Sequence, residues 1–225
     1  MRNRLSVGIL STVLIAGAGS AFAFGLGDVA GGIGGGGGSS GSLKGDADQF
    51  TKYLGAGTAH MLTSVAKMQE AAGHAKDAEA AMLQAENIKK NGLPKDADEQ
   101  KKVYATIDNA KIDSAELAKI PESKGRVALG QSSIHLGAGA LEDKNAITLA
   151  QKLVSNKPSA SDLMDGSIVS AIDTARTALT VLPGHVEKAG TWTGYLTDYF
   201  SSHKVSPPSE EEKKKALADD AEYPR

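Results

Sequence analysis

The residues of this chain that could do chemistry are a few histidines and one serine motif, and none has the spacing that a familiar kind of site requires. The histidines are His60, His74, His135, His185 and His203. None belongs to a His-x-x-x-His, His-Glu-x-x-His or Glu-x-x-His motif, the spacings that place metal ligands on one helix face. The Gly-x-Ser-x-Gly match at 37–41 lies in a glycine run, not between a strand and a helix.

The absence of cysteine from the sequence removes several further chemistries. Thiolate catalysis, cysteine-ligated metals and covalent haem attachment all need that residue. We therefore predict that the chain has no catalytic, cofactor-binding or metal-ligating residue, and that it is not an enzyme.

One alternative to this prediction involves the thioether of methionine. His60 is followed by Met61, and Met68 lies two helical turns further on, a set that could ligate copper or a non-covalent haem. Methionine at regular helical spacing is more typical of core packing. A metal- or haem-binding bundle is therefore kept as an alternative hypothesis.

Glycine is unusual in this chain because it recurs inside segments that have a helical pattern. A glycine in a helix interior costs about 1 kcal/mol relative to alanine, so a compensating contact is expected. We predict that small residues let neighbouring helices pack closely at Gly55, Gly57, Gly130, Gly137 and Gly139. For Gly55 and Gly57 the alternative is a ligand that rests on the bare backbone.

Much of the aromatic content, which is only 4% of the chain, lies in one segment near the C-terminus. That segment carries Trp192, Tyr195, Tyr199 and Phe200. The pattern favours a lid over one end of the bundle. The alternative hypothesis is that these four side chains form a surface for a partner, a glycan or a membrane interface.

The elements that position these residues are predicted to be α-helices. Hydrophobic residues make up 40% of the chain but aromatic residues are few. The core must then be built from Ala, Leu, Ile, Val and Met, which favours close-packed helices over a β-sandwich. Within residues 46–205 apolar residues recur every three or four positions, the period of an amphipathic helix. We predict an all-α, up-and-down bundle of about four to six helices.

Capping and turn signals divide the first half of this domain into two segments. A helix is predicted from Asp46 to Lys90 with a bend at Gly73, and the Asn-Gly-Leu-Pro turn at 91–94 should end it. A second helix with poorer periodicity is predicted within 96–121.

The second half is predicted to contain three helices. The first lies within 122–156, with an interruption at 143–145. The next begins at a cap on Ser159 or Ser161, and Pro183 with the glycine after it should break or kink it. A last helix then covers 186–200.

The first 45 residues have the composition of an export signal and a linker. Residues 1–23 have a positive start, an apolar run and small residues at the two positions that signal peptidase reads. We predict cleavage after Ala23 and a periplasmic, secreted or cell-surface protein. Residues 24–45 are rich in Gly and Ser, and a flexible tether is predicted there.

The balance of charge argues against a nucleic-acid partner. The net charge is −2, and removal of Arg2 and Arg4 with a leader would leave 23 basic against 27 acidic residues, a charge of −4. A nucleic-acid-binding domain needs a basic face. The tail at 206–225 is highly charged, and Ser209 with Glu212 has the pattern of a capping box.

Part of the sequence resembles itself at a fixed offset. The segment Leu54–Gly57 recurs 82 positions later at 136–139, and several single residues around it recur at the same offset. The match fails at Met61, which aligns with Asp143. A duplicated helical hairpin would explain the resemblance.

These observations lead to one main function hypothesis and two alternatives. We expect an exported, non-enzymatic helical protein that acts by binding or assembly in the cell envelope. Its expected partner is another envelope protein or a second copy of the chain. Membrane contact is compatible with the sequence, but no segment after the leader has the length and apolarity of a transmembrane helix. The alternatives are a membrane-active, pore-forming-like helical protein and the metal- or haem-binding bundle.

Overall fold

The structure, a computed structural model, describes residues 42–218 and contains eight α-helices and no strand in that range. The helices are α1 (Leu43–Ala72), α2 (Ala75–Asn91), α3 (Ala97–Asp108), α4 (Ser114–Leu117), α5 (Glu122–Ser155), α6 (Ala160–Met164), α7 (Gly166–Ser202) and α8 (Glu210–Ala218). The predicted all-α class is confirmed. The predicted signal peptide and most of the predicted tether lie outside the described residues.

Helix α1 begins earlier than its sequence pattern predicts. The Ser42 side chain accepts a hydrogen bond from the Gly45 backbone N–H at 3.2 Å and caps the helix. The predicted tether boundary at residue 45 therefore falls inside the first turn of α1. Asp46 is not the cap, and its buried carboxylate accepts a hydrogen bond from Lys152 Nζ at 2.7 Å. This bond ties the start of α1 to the end of α5.

Gly73 ends α1, which corrects the prediction of one bent helix as far as residue 90. The φ of Gly73 is 88°, a left-handed conformation that favours glycine. Its N–H bonds to the Glu70 carbonyl at 3.1 Å, and the next N–H, from His74, bonds to the Gln69 carbonyl at 2.8 Å. This Schellman arrangement satisfies the last carbonyls of α1, and α2 then packs back along α1.

The core consists of two clusters arranged along α1. The C-terminal half of α1, with Met61 and Met68, packs against α2, α3, α4, the first half of α5 and the end of α7. The N-terminal half, with Phe50 and Leu54, packs against the end of α5 and the first half of α7. Helices α1 and α5 run antiparallel, and α1, α5 and α7 each contribute to both clusters.

Two predicted helix breaks do not occur. Helix α5 continues through 143–145, because Asp143 is fully buried against α1 rather than exposed in a turn. Helix α7 continues through Pro183, which removes one backbone hydrogen bond. Leu182 and His185 beside the proline are fully buried, so packing on both sides of Pro183 holds the helix together.

The charged tail forms a short helix, α8, that packs against α5. The Ser209 N–H donates to Glu212 Oε2 at 2.8 Å, and the Glu212 N–H donates to Ser209 Oγ at 3.3 Å. These are the two reciprocal bonds of the predicted capping box.

Candidate ligand-binding groove

A groove with a volume of about 950 Å³ runs along the first half of α1. Its walls are the C-terminal end of α2, the loop that follows α2, and the first turns of α7. Small-molecule sites in proteins occupy about 300–1,000 Å³, so this groove has the size of a ligand site. It is open to solvent along one side.

Gly55 lies in the lining of the groove, and its missing side chain leaves the space above the helix backbone empty. A Cβ atom added at Gly55 would meet no neighbouring atom within 4 Å. Close packing between helices therefore does not require glycine at 55, which differs from the prediction for this residue. The position fits the alternative hypothesis, in which a ligand rests on the bare backbone.

The lower part of the groove is apolar. Ala47, Leu54 and Ile88 line it and are each at most 2% exposed. Leu93, from the loop after α2, lines it as well and packs against both core clusters. A lining of this kind favours a ligand with an apolar body and a small number of polar groups.

Charged side chains lie around the groove mouth. Lys52, Lys95 and Asp48 line it and are exposed, so two positive charges face one negative charge. No ion pair among the described residues involves Lys95. Lys52 lies near Glu142: burial raises the pKa of Glu142, while a hydrogen bond from Asn145 and the charge of Lys52 partly offset that rise.

Two of the predicted packing glycines lie where α1 and α5 approach each other closely. A Cβ atom at Gly57 would overlap Asp143 Oδ1 and would lie 3.1 Å from the Asp143 backbone nitrogen. A Cβ atom at Gly139 would lie 3.0 Å from Met61 Cγ and 3.2 Å from the Gly57 carbonyl oxygen. At both positions a larger residue would force the two helices to shift.

The other small residues of α5 have looser or different surroundings. A Cβ atom at Gly130 would be in ordinary contact with Pro208 at 3.5 Å, and Gly137 is half-buried. Gly125 lies outside the seven-residue spacing of Gly130 and Gly137. Its surroundings are tighter, because a Cβ atom at Gly125 would overlap the Tyr199 hydroxyl.

A buried polar cluster between α3, α5 and α7 was not predicted from the sequence. Asp143 and His185 are both fully buried, and their side-chain oxygens and nitrogens have no hydrogen-bond partner among the described residues. His185 Nδ1 lies 3.9 Å from Asp143 Oδ2, and Nε2 lies 3.8 Å from Asp108 Oδ1. The Tyr104 ring packs edge-on against the imidazole at 5.6 Å.

Burial controls the charge states of this cluster. It raises the pKa of Asp143 well above its ordinary value, and the nearby Glu142 adds to that rise. Burial lowers the pKa of His185 to about 4, while Asp108 acts to raise it and Lys188 to lower it further. Because neither Asp143 nor His185 contacts solvent, the cluster bears on the stability of the fold and its pH dependence.

Two histidines on different helices form a second buried pair. His60 Nδ1 and His135 Nδ1 are 3.1 Å apart, a distance at which one nitrogen donates and the other accepts. Close by on the same two helices, the hydroxyl oxygens of Ser64 and Ser132 are 2.9 Å apart. Spacing within one helix cannot reveal such pairs, because they depend on the register between α1 and α5.

The residues of the metal alternative are mostly part of the core. Met61 and Met68 are 0% exposed and pack in the first core cluster. Within residues 42–218 no group of three or more His, Asp or Glu side chains is arranged to hold a metal ion.

The hypothesis of an aromatic partner surface is corrected by the burial of its members. Trp192, Tyr199 and Phe200 are at most 5% exposed, and Tyr195 is half-buried against the same core cluster. Tyr199 also stacks on His203, with ring centroids 4.4 Å apart. These side chains pack where α7 crosses the first core cluster, so they do not form an exposed surface.

Comparison with known proteins gives no relative from which a function could be transferred. The chain matches no family model, no curated protein and no solved structure. Among the described helices, none combines the length and the apolarity that a membrane crossing needs.

Proposed function

We propose that this chain is an exported, non-enzymatic helical protein that acts by binding a component of the cell envelope, and that the groove above Gly55 is its binding site. The observation that supports a binding role is the groove itself, which stays open over a floor of buried apolar residues. The groove replaces the aromatic residues of α7 as the site we assign, because those residues are in the core.

The substitution Gly55→Leu tests this assignment directly. A leucine side chain would occupy the open space above the backbone, because a Cβ atom there meets nothing within 4 Å. Leucine also has a higher helix propensity than glycine by about 1 kcal/mol, so the variant is expected to fold. Gly190→Leu is the matched control, since position 190 is exposed, lies in α7 away from the groove and is equally free of neighbours.

The measurement is mass spectrometry of the small molecules that accompany the full-length protein when it is purified from its native host. We expect a bound species with the wild-type protein and with Gly190→Leu, and its loss from Gly55→Leu. The proposal is contradicted if no species accompanies the wild-type protein, or if the same species accompanies all three proteins.

Export is the second part of the proposal and rests on the pattern of residues 1–23. N-terminal sequencing of the protein from the host envelope or medium should give Phe24 as the first residue. Recovery of the uncleaved chain from the cytosol would contradict export without bearing on the groove.

A further inference from the structure

We propose that the groove binds the hydrocarbon chain of a single-chain anionic amphiphile, a long-chain carboxylate, with the carboxylate at the lysine side of the mouth. This inference rests on the proposed function and names the chemical class of its ligand. Three features support it: the lining of the groove, the charges at its mouth and the exposed apolar side chains that closely precede one of its lining residues along the chain.

The lining indicates that the ligand has an apolar body. Leu54 and Ile88 are 1% exposed, and with Leu93 they form an apolar floor. Polar side chains line the rest of the groove: Gln49, Thr51, Asn91, Gln100, Ser167, Ser170 and Thr174. At Gly55 the bare backbone widens the groove without adding a polar side chain, because helix carbonyls and N–H groups are already bonded to each other. A hydrocarbon chain can fill such a space without leaving polar groups unsatisfied.

The charges at the mouth indicate that the ligand has an anionic head. Asp48 is the acidic residue of the lining, and Glu142 lies near Lys52. Lys95 forms no ion pair among the described residues, so its charge is available to a carboxylate. A carboxylate near these lysines would be held by charge-assisted hydrogen bonds. A cationic head group would lie beside two positive charges. The groove should therefore bind an anionic amphiphile more tightly than a cationic one with the same hydrocarbon chain.

Two exposed apolar residues, Leu163 and Met164, closely precede the groove-lining Gly166 along the chain and are called the lip here. These side chains are 59% and 89% exposed, and no residue of α6 is buried. Met164 is two residues from Gly166, which lines the groove, so their Cα atoms are at most about 7.6 Å apart. The lip gives a hydrocarbon chain an apolar surface to cross between a membrane and the groove.

The experiment is a fluorescence titration of the full-length protein with cis-parinaric acid, an 18-carbon polyene carboxylate that becomes fluorescent in apolar sites. Competition follows with palmitate and with hexadecyltrimethylammonium, both below their micelle concentrations. We expect saturable binding of the probe, displacement by palmitate, and much weaker displacement by the cation.

Variants locate the binding within the groove. Gly55→Leu should weaken binding by about tenfold or more, because it removes space from an apolar site, and Gly190→Leu should leave it unchanged. The double substitution Lys52→Gln and Lys95→Gln should weaken palmitate binding by roughly two- to fivefold, the range expected for exposed charge pairs. That double variant should not weaken binding of the cation.

The lip is tested by a rate rather than an affinity. Leu163→Ser combined with Met164→Ser should slow the transfer of parinaric acid from phosphatidylcholine vesicles to the protein, and should leave the equilibrium affinity unchanged. Both side chains are exposed, so the variant is expected to fold.

Several outcomes would overturn the inference. They are no saturable binding of the probe, equal displacement by the cation, or equal affinity in Gly55→Leu and wild type. If the native species is lost from Gly55→Leu while parinaric acid does not bind, the groove is a site for another class of ligand. The ligand class then fails and the proposed function stands.

Discussion

At the scale of single residues, the contact between Gly57 and Asp143 joins two residues that lie 86 positions apart in the sequence. Glycine inside α1 lets the carboxyl group of Asp143 lie directly on the α1 backbone. In return, the buried carboxyl group occupies space that a side chain at 57 would otherwise fill. The spacing of glycines predicts close packing, but it does not reveal that a buried acid is the group that packs there.

Substitution of Gly57 by alanine should destabilise the fold. The new Cβ atom would overlap Asp143 Oδ1 and crowd the Asp143 backbone nitrogen, so we expect a loss of about 1–3 kcal/mol in the free energy of unfolding. Gly194→Ala is the control, because a Cβ atom there meets nothing and should stabilise α7 by up to about 1 kcal/mol. Urea denaturation measures both, and equal stability of the two variants would contradict the close approach of α1 and α5.

The buried pair of Asp143 and His185 acts on stability in opposite directions as pH changes. Burial raises the pKa of Asp143 above 3.8. The contribution of Asp143 to the free energy of unfolding is therefore fully present below pH 3.8 and is lost as the pH rises above 3.8. The pKa of His185 is lowered from 6.5 to about 4, so its contribution is present above pH 6.5 and is lost as pH falls toward 4. In the wild-type protein the two effects partly cancel between pH 4 and 6.5.

In the variant Asp143→Asn, the pH dependence of stability should reflect His185 without the opposing effect of Asp143. We expect the variant to be more stable than wild type at pH 8 by about 1–3 kcal/mol, because a buried carboxylate no longer has to ionise. Its stability should fall more steeply than that of wild type between pH 6.5 and 4. Thermal unfolding across this range measures the effect, with the exposed Asp198→Asn as the control. If the stability of Asp143→Asn follows that of wild type at every pH, the proposed effect of the buried cluster on stability is wrong.

At the scale of elements, local signals predicted where helices end better than where they continue. The turn at 91–94 and the Ser159 cap were predicted, and both have their causes within a few residues of the boundary. Gly73 was predicted only as a bend, although it ends α1. Pro183 also signals a break locally, but burial of its neighbours in the core overrides that signal. The sequence raised a ligand at Gly55 only as an alternative hypothesis, because the empty space between elements depends on how α1, α2 and α7 pack.

Pro183→Ala should stabilise α7. Alanine restores the N–H that can bond to the carbonyl four residues earlier and removes the steric conflict of the ring. The unfolded chain gains some entropy when proline is lost, so we expect a net gain of about 2 kcal/mol in the free energy of unfolding. Urea denaturation measures it, and a loss of stability would show that α7 needs the irregularity at this position.

The self-similarity of the sequence also has a meaning at this scale. The offset of 82 aligns Gly57 with Gly139 and Met61 with Asp143. In the structure Gly57 contacts Asp143 and Gly139 contacts Met61, so the aligned positions make reciprocal contacts. The elements that follow differ, since α2 has 17 residues whereas α6 has 5 and α7 has 37. The resemblance therefore describes the α1–α5 contact and not two equal hairpins.

At the scale of the whole molecule, the division of the core into two clusters explains where a ligand could bind. The first cluster contains the aromatic residues of α7 and is covered by α3, α4 and the end of α7. The second cluster is smaller, and part of the first half of α1 beside it faces the groove instead of another helix. Composition predicted the helical class correctly, yet the aromatic residues that suggested a binding surface are used to build the core.

The most direct test of the groove is an NMR titration of the ¹⁵N-labelled protein with palmitate. Binding in the groove should shift the amide resonances of Gly55, Lys95 and Ser170, which line it, and should leave those of Gly125 and Tyr199 in place. The same titration of Gly55→Leu should need at least about tenfold more palmitate to produce these shifts. Unchanged spectra, or shifts confined to the region around Gly125 and Tyr199, would contradict the account.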